Sequence, residues 1–240
     1  MAGNPYTESG SKFRIPDMLA NRADVYNLGD VIGDTDYLFN LSLIENAAVE
    51  NPAIDKIAGK SFNDFYALIR YIENREEQLP ELEGNYLKQD VDDFLAVLQH
   101  LLKIRNIVIK VNQSYINSAA MQDNYRTEPP FKLQGSYRNM SKLVAQVVPM
   151  MNDQEINQLI LTHYESESQT LTADTESNLL KLKELADILT KEEKERWEAI
   201  KKVFQKDNKH GALGKDDKMF AQLLEFNENL QGIINAISKK

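Results

Sequence analysis

The sequence predicts a mainly α-helical protein, and three observations lead there. Beyond residue 34, apolar residues recur at three- and four-residue spacing over nearly the whole chain. Ten Gly and seven Pro in 240 residues leave little turn punctuation, which favours long helices over many short strands. Two strings, Asn152-x-x-Glu155 and Thr190-x-x-Glu193, have the capping-box form that starts a helix.

Composition narrows the function classes. The length suits one large domain or two small ones, with roughly 70% of the unfolded surface buried. A net charge of −9, with no block of five like charges, argues against a surface that embraces nucleic acid throughout. A local basic groove stays compatible with it. The absence of cysteine excludes disulfides and thiolate metal sites. His100, His163 and His210 lie far apart without H-x-x-x-H or H-E-x-x-H spacing, so no metal site is expected. No basic-then-apolar leader opens the chain and no apolar run reaches the roughly 18 residues that span a bilayer, so the expected compartment is the cytoplasm, with no membrane partner.

Taken in order, the elements are as follows. A helix capped by Thr35 or Asp36 places Leu38, Leu41, Ile44 and Ala48 on one side and stops at Pro52. A second starts at Ser61 and carries Phe62, Phe65, Leu68, Ile69 and Ile72. The polar string "ENREEQLPELEGN" is a loop. From Asp90 to about Gln122 runs the longest helix, roughly 45–50 Å if unbroken, with Phe94, Leu98, Leu101, Val108, Val111 and Tyr115 as its stripe. Pro129 and Pro130 in "YRTEPPFKLQG" bar helix. After Gly135-Ser136 a helix carries Met140, Leu143, Val144 and Val147 up to Pro149. Glu176–Phe204 shows Leu179, Leu182, Leu185 and Leu189, then Trp197, Ile200 and Phe204. "QKDNKHGALGKDDK" is a linker before a last amphipathic helix with Phe220, Leu223, Leu224, Leu230, Ile233 and Ile237. These stripes are first of all packing faces.

Two stretches carry more than packing. In "FKLQGSYRNMSKL", Gly135 and Ser136 suit a turn and an N-cap, which puts Tyr137, Arg138 and Asn139 in the first helical turn. A cation is mildly unfavourable there, because the backbone dipoles leave about half a positive charge at a helix start. Free N–H groups beside a guanidinium favour an anion, and phosphate fits. An exposed Arg138 paired with a neighbouring carboxylate is the plainer alternative. In "NPYTESGSKFRIPDMLANRAD", Asn4 is held extended by Pro5 and suits a polar group at a strand end. Pro16 opens a short helix whose polar side gathers Asp17, Asn21, Arg22 and Asp24. There the plainer alternative is local pairing of Arg22 with Asp17 or Asp24.

Together these stretches resemble the MoxR-like AAA+ ATPases. The opening residues are similar to the part of that family running from sensor 1 to the end of the nucleotide-binding core, and "GSYRNM" is similar to its sensor-2 turn. The strings "RIPDMLANRADVYNLGD", "FKLQGSYRNM" and "LTADTESNLLKL" resemble the C-terminal region of large bacterial AAA+ proteins labelled DNA repair ATPases; the likeness spans residues 1 to about 205. The resemblance implies an α/β core remnant over 1–34, a helical lid with a long-helix excursion over 35–150, and a C-terminal helical region over 151–240. It implies Asn4 as the sensor-1 residue that orients the attacking water. Arg22, with Arg14 as second choice, becomes the finger reaching a neighbouring subunit's nucleotide in a homo-oligomeric ring. Arg138 becomes the sensor-2 residue on the phosphates. ATP and magnesium are the implied cofactors of the full-length parent, and remodelling of a macromolecule, in DNA repair, the implied task.

The chain departs from that pattern. It lacks both a Gly-rich phosphate loop and an acidic pair on a strand end for magnesium. "AGKS" at Ala58–Ser61 is a decoy, since the loop wants a Gly where Ile54 stands and helical sequence precedes it. The expectation is that Met1 lies inside a longer gene product or marks a truncated frame. The missing N-terminal AAA+ core would then be a partner, and this chain alone would not hydrolyse ATP. Two rivals stand beside this one. One is an independent helical interaction or scaffold protein with no nucleotide chemistry. The other is a nucleic-acid-binding helical module using Lys103, Arg105 and Lys110, which sit among acidic neighbours.

Overall fold

A computed structural model describes residues 35–169 and 174–212, the last four of these as backbone only. Asn4, Arg14, Arg22 and the last predicted helix lie outside the described residues. Among those described the protein is mainly helical, with no strand. The α-helices are α1 (Asp36–Ala48), α2 (Pro52–Ala58), α3 (Phe62–Asn74), α4 (Lys88–Ala120), α5 (Tyr137–Val144), α6 (Asp153–Ser168), α7 (Thr175–Leu185) and α8 (Lys191–Ala212). A 3-10 turn, η1 (Asp123–Tyr125), follows α4.

The described chain forms two compact units. One holds the residues up to Ala119 together with Phe131–Leu189, and the other holds Ala120–Pro130 and the chain from Thr190. In the first, α4 is the axis. Its predicted stripe is buried in full, and Val97 and Ile104 on neighbouring positions are buried too. The buried face of α4 is therefore broad, while Asp92, Gln99, Asn106, Lys110 and Gln113 leave one side of it exposed. Around it α1 packs on α5, α2 on α3, and α6 on α7. Two stripe residues depart from expectation. Leu38 and Phe62, placed on packing faces by periodicity, are 61% and 53% exposed; each stands in the first turn of its helix, at the edge of the buried face.

Helix ends follow their local chemistry. The Asn51 side chain accepts from the Ala53 and Ile54 N–H groups, and Pro52 takes the first helical position of α2, where its missing N–H matters least. Asn152–Glu155 and Thr190–Glu193 form the reciprocal bonds expected of them. The leucine-rich run that begins at Glu176 is cut after Leu185. Asp187 adopts φ 58° and the Ile188 N–H donates to the Lys183 carbonyl, a Schellman-type ending in which Asp substitutes for Gly. Gln205, expected to begin a linker, is helical, because α8 continues to Ala212. In the second unit, the Gln205 amide donates to the Thr127 carbonyl and the Asn208 amide to the Asp123 and Arg126 carbonyls, which ties α8 to the η1 segment.

The predicted loop between α3 and α4 is held by one carboxylate. Asp64, buried in the first turn of α3, accepts from the Glu83 N–H at 2.7 Å, the Gly84 N–H at 2.9 Å and the Tyr86 hydroxyl at 2.9 Å. Tyr86 packs edge-on against Phe94 of α4, and Lys60 lies over its ring. Burial alone would raise the Asp64 carboxyl, but the three donors outweigh it and hold it below its ordinary 3.8. Burial first, and then Asp64, push the Tyr86 hydroxyl up to about 12. A carboxyl depressed in the folded state stabilises fully above its unfolded value, and that contribution is lost as pH falls through the lower folded value. Asp64→Ala is therefore expected to lower the unfolding free energy by about 3 kcal/mol near neutral pH, since charged acceptors contribute more per hydrogen bond than neutral ones. In urea titrations the gap between wild type and variant should narrow on acidification below about pH 4. A gap independent of pH would show that the carboxylate charge does not hold the loop.

Candidate functional site

The residues from Gly135 to Met140 each meet a different part of the first unit. Gly135 lies over one rung of α4. A methyl group on its α-carbon would overlap the Val108 carbonyl oxygen and come within 2.7 Å of the Asn112 N. Only glycine permits that approach. Ser136 caps α5: its hydroxyl accepts from the Asn139 N–H, while its own N–H donates to Asn139 Oδ1. The predicted turn and N-cap are thus present, closed by an Asn where the usual box has Glu or Gln.

Tyr137 reaches α1. Its hydroxyl shares a 2.8 Å hydrogen bond with Ser42 Oγ, and its ring meets Phe39 edge-on at 6.3 Å. Asn139, 3% exposed, reaches α6. Its amide nitrogen donates to Glu167 Oε1 at 2.7 Å and lies 3.0 Å from His163 Nε2. For that nitrogen to accept, His163 must be neutral with its proton on Nδ1. The environment agrees, since burial first and the Lys142 charge second lower the His163 pKa from 6.5. Burial raises Glu167, against the Asn139 bond and the nearby charges of Lys142 and Arg138. Met140 is fully buried in the core.

Arg138 is the exception in this run. It is exposed, and among the described residues it has no hydrogen bond or ion pair. The plainer alternative, a guanidinium paired with a neighbouring carboxylate, is not what the structure has. Glu167 is close enough for its charge to be felt, but its carboxylate is taken by Asn139. The far end of α5 is also fastened: the Asn51 amide donates to the Val144 carbonyl at 2.8 Å and the Val147 carbonyl at 2.9 Å. A short helix held at both ends presents one unpaired guanidinium at its start, where the Asn139 N–H is taken by the Ser136 hydroxyl and the Tyr137 and Arg138 N–H groups have no intrahelical acceptor.

Neither Asn51 nor Asn139 was singled out from sequence as a positioning residue. Asn51 before Pro52 carried the signal of an N-cap followed by Pro at the first helical position. For Asn139 the signal was a Ser-x-x-Asn string. Ala58–Ser61 forms the end of α2, a turn and the cap of α3, with helix and no strand before it, so the "AGKS" string has no phosphate-loop setting. No three His, Asp or Glu side chains gather as a metal-ligand set among the described residues. None of the described helices is long and apolar enough to cross a membrane. Comparison with protein-family models, with curated proteins and with solved structures returned no match.

The fit of Gly135 on α4 is open to a direct check. Gly135→Ala is expected to cost about 3 kcal/mol of unfolding free energy, because backbone rather than a flexible side chain blocks the added carbon. Equilibrium urea unfolding measures it, and a loss within about 0.5 kcal/mol, typical of unconstrained surface positions, would remove the turn from its seat.

Proposed function

We propose that this chain is the C-terminal part of a MoxR-like AAA+ ATPase, in which Arg138 reaches from the helical lid to the phosphates of a bound ATP. The observation that carries this is the placement of Arg138: its neighbours in the turn are fixed to α4, α1, α6 and the core, and of the residues Gly135–Met140 it alone has a polar side chain with no hydrogen bond or ion pair among the described residues. A guanidinium at a helix start gains nothing from the dipole and costs a few tenths of a kcal/mol in stability. An anionic ligand reverses that sign, because both the guanidinium and the first-turn N–H groups then face opposite charge.

Phosphoryl transfer suits such a residue, since it depends on positioned positive charge more than on covalent chemistry. On this reading the Gly-rich loop and the magnesium-holding acids come from an AAA+ core elsewhere in the polypeptide. Asn4 supplies sensor 1, and Arg22 or Arg14 the finger to the next subunit of a ring. Magnesium and ATP are bound by the joined protein, in the cytoplasm, and hydrolysis is coupled to remodelling of a macromolecule; DNA repair is the task the resemblance suggests. This chain by itself does not turn ATP over.

The test is Arg138→Ala in the gene product that carries both the phosphate-gripping loop and this chain. Turnover should fall on the order of 10²-fold, the loss that follows removal of one preorganised donor to developing charge. The unfolding midpoint should hold or rise slightly, since an unfavourable cation leaves a helix start. Turnover equal to wild type would end the assignment of Arg138.

A further inference from the structure

A groove of about 630 Å³ runs along α4 in the first unit. Its floor is the α4 face carrying Gln99, Leu102, Lys103, Asn106 and Lys110, and its walls are the C-terminal ends of α3 and α7. Four cations line it, Arg75, Lys103, Arg105 and Lys110, against one carboxylate, Glu73. In a protein of net charge −9 that is a local inversion of sign.

The cations are not equivalent. Arg105 is buried and spoken for, with its guanidinium 2.8 Å from Glu73 and donating to the Asn106 side-chain oxygen Oδ1. It neutralises the groove's only acid and leaves the rest of the charge uncompensated within the lining. Lys103 meets the mostly exposed Asp153 at the rim, a solvated pair that an incoming anion can exchange. Lys110 donates to the Leu185 carbonyl at the end of α7, at 3.3 Å. Arg75 has no hydrogen bond or ion pair from its side chain among the described residues.

Arg75 also stands where glycine is the default. It ends α3 at φ 52°, with its N–H donating to Ile72 and the Glu76 N–H to Tyr71. A left-handed C-terminal residue with a β-carbon is strained relative to Gly. Strain retained at a residue whose side chain lines a cavity points to use of that side chain.

The geometry points to this groove as the docking site for an acidic amphipathic helix of a partner protein. Lys103 and Lys110 are two turns apart on α4, about 10 Å, so the anion they meet is extended along the groove rather than a single phosphate. Carboxylates seven residues apart on a partner helix match that separation. Apolar side chains between them would rest on Ile72, Leu102 and Leu185, the helix-in-groove mode of recognition. A nucleic acid fits less well, because no aromatic side chain lines the groove to stack a base. The inference does not depend on the nucleotide role of Arg138.

The probe is a fluorescein-labelled synthetic helix of about four turns with Glu at i and i+7 and Leu at i+3 and i+4. A shuffled peptide of the same composition and a single-stranded oligonucleotide serve as comparisons. Anisotropy titrations of the whole chain should show binding by the patterned peptide that weakens as salt is raised. Arg75→Glu combined with Lys110→Gln should lower that affinity at least about fivefold, the scale expected for two exposed ion pairs. Arg75→Gly should raise the unfolding midpoint and still weaken binding, two effects that a purely structural arginine would not combine. The proposal is overturned by an absence of binding, by equal binding of the shuffled peptide, by preference for the oligonucleotide, or by Arg75→Gly with unchanged affinity.

Discussion

The close approach of Gly135 to the backbone of α4 governs the geometry around the candidate site. The turn lies on the rung between the Val108 carbonyl and the Asn112 N–H, a distance available only without a β-carbon. Because the seat is a helix backbone rather than a set of side chains, it is stiff in both position and direction. Once Gly135 is placed, the capped start of α5 has one orientation, and Tyr137, Asn139 and Met140 are aimed at α1, α6 and the core in turn. The remaining direction is outward, and Arg138 takes it. The long helix thus supplies the platform for the short one. That gives a physical purpose to 33 residues of α4 that propensity alone would not require.

The fasteners in this unit are mostly amides and one carboxylate, each meeting several partners. Asn51 caps α2 with its oxygen and closes α5 with its nitrogen. Asn139 does the converse at the other end of α5. Asp64 gathers three donors of a loop that has no regular structure of its own. A neutral amide is buried at less desolvation cost than a charge, and it carries donor and acceptor on one rigid plane. Such groups add modest net stability but penalise any other register heavily, since a slip leaves each of them unsatisfied. Packing of Leu, Ile and Val brings the helices together, and these few polar junctions fix which way each end points.

How much of this was legible in the sequence follows from the range of the forces involved. Helical periodicity is local, so most of the helices were visible, and every residue predicted for the α4 stripe from Phe94 to Tyr115 is buried, although Val97, Leu102, Ile104 and Ile107 between them are buried as well. The Ser136 cap was visible because its partner lies three residues away. The cut after Leu185 was obscured because Asp187, not Gly, takes the left-handed conformation, and the Lys-rich string after Phe204 hid two further turns of α8. What periodicity could not give was convergence. Asn139 meets Glu167 across 28 residues, and Asn51 meets Val144 across 93. Lys103, Arg105 and Lys110 look diluted by acidic neighbours in the sequence. The fold selects one face of α4, removes Glu73 by pairing it with Arg105, and brings Arg75 in from another helix.

Arg70, Arg75 and Arg138 are unpaired in their side chains among the described residues, and of these Arg138 and Arg75 each occupy a position that folding alone does not favour. Arg138 puts a cation at the positive end of a helix, where Asp or Glu would be stabilising. Arg75 puts a β-carbon at a left-handed helix end, where Gly would relieve strain on the order of 1 kcal/mol. The helix dipole returns part of that at Arg75, since a cation suits a C-terminus, but the usual 0.3–1 kcal/mol of such an interaction at most cancels the strain. Carboxylates outnumber cations in this chain, 37 to 28, so an internal counter-ion for a flexible guanidinium would be the common outcome. Keeping both groups apart from acids requires the local structure to hold the nearest ones elsewhere. It does so in both places: Asn139 occupies Glu167 beside Arg138, and Arg105 occupies Glu73 beside Arg75. A charge held away from its nearest partner, at a site that disfavours it, is what the two proposals above share: each gives such a guanidinium an anion from outside.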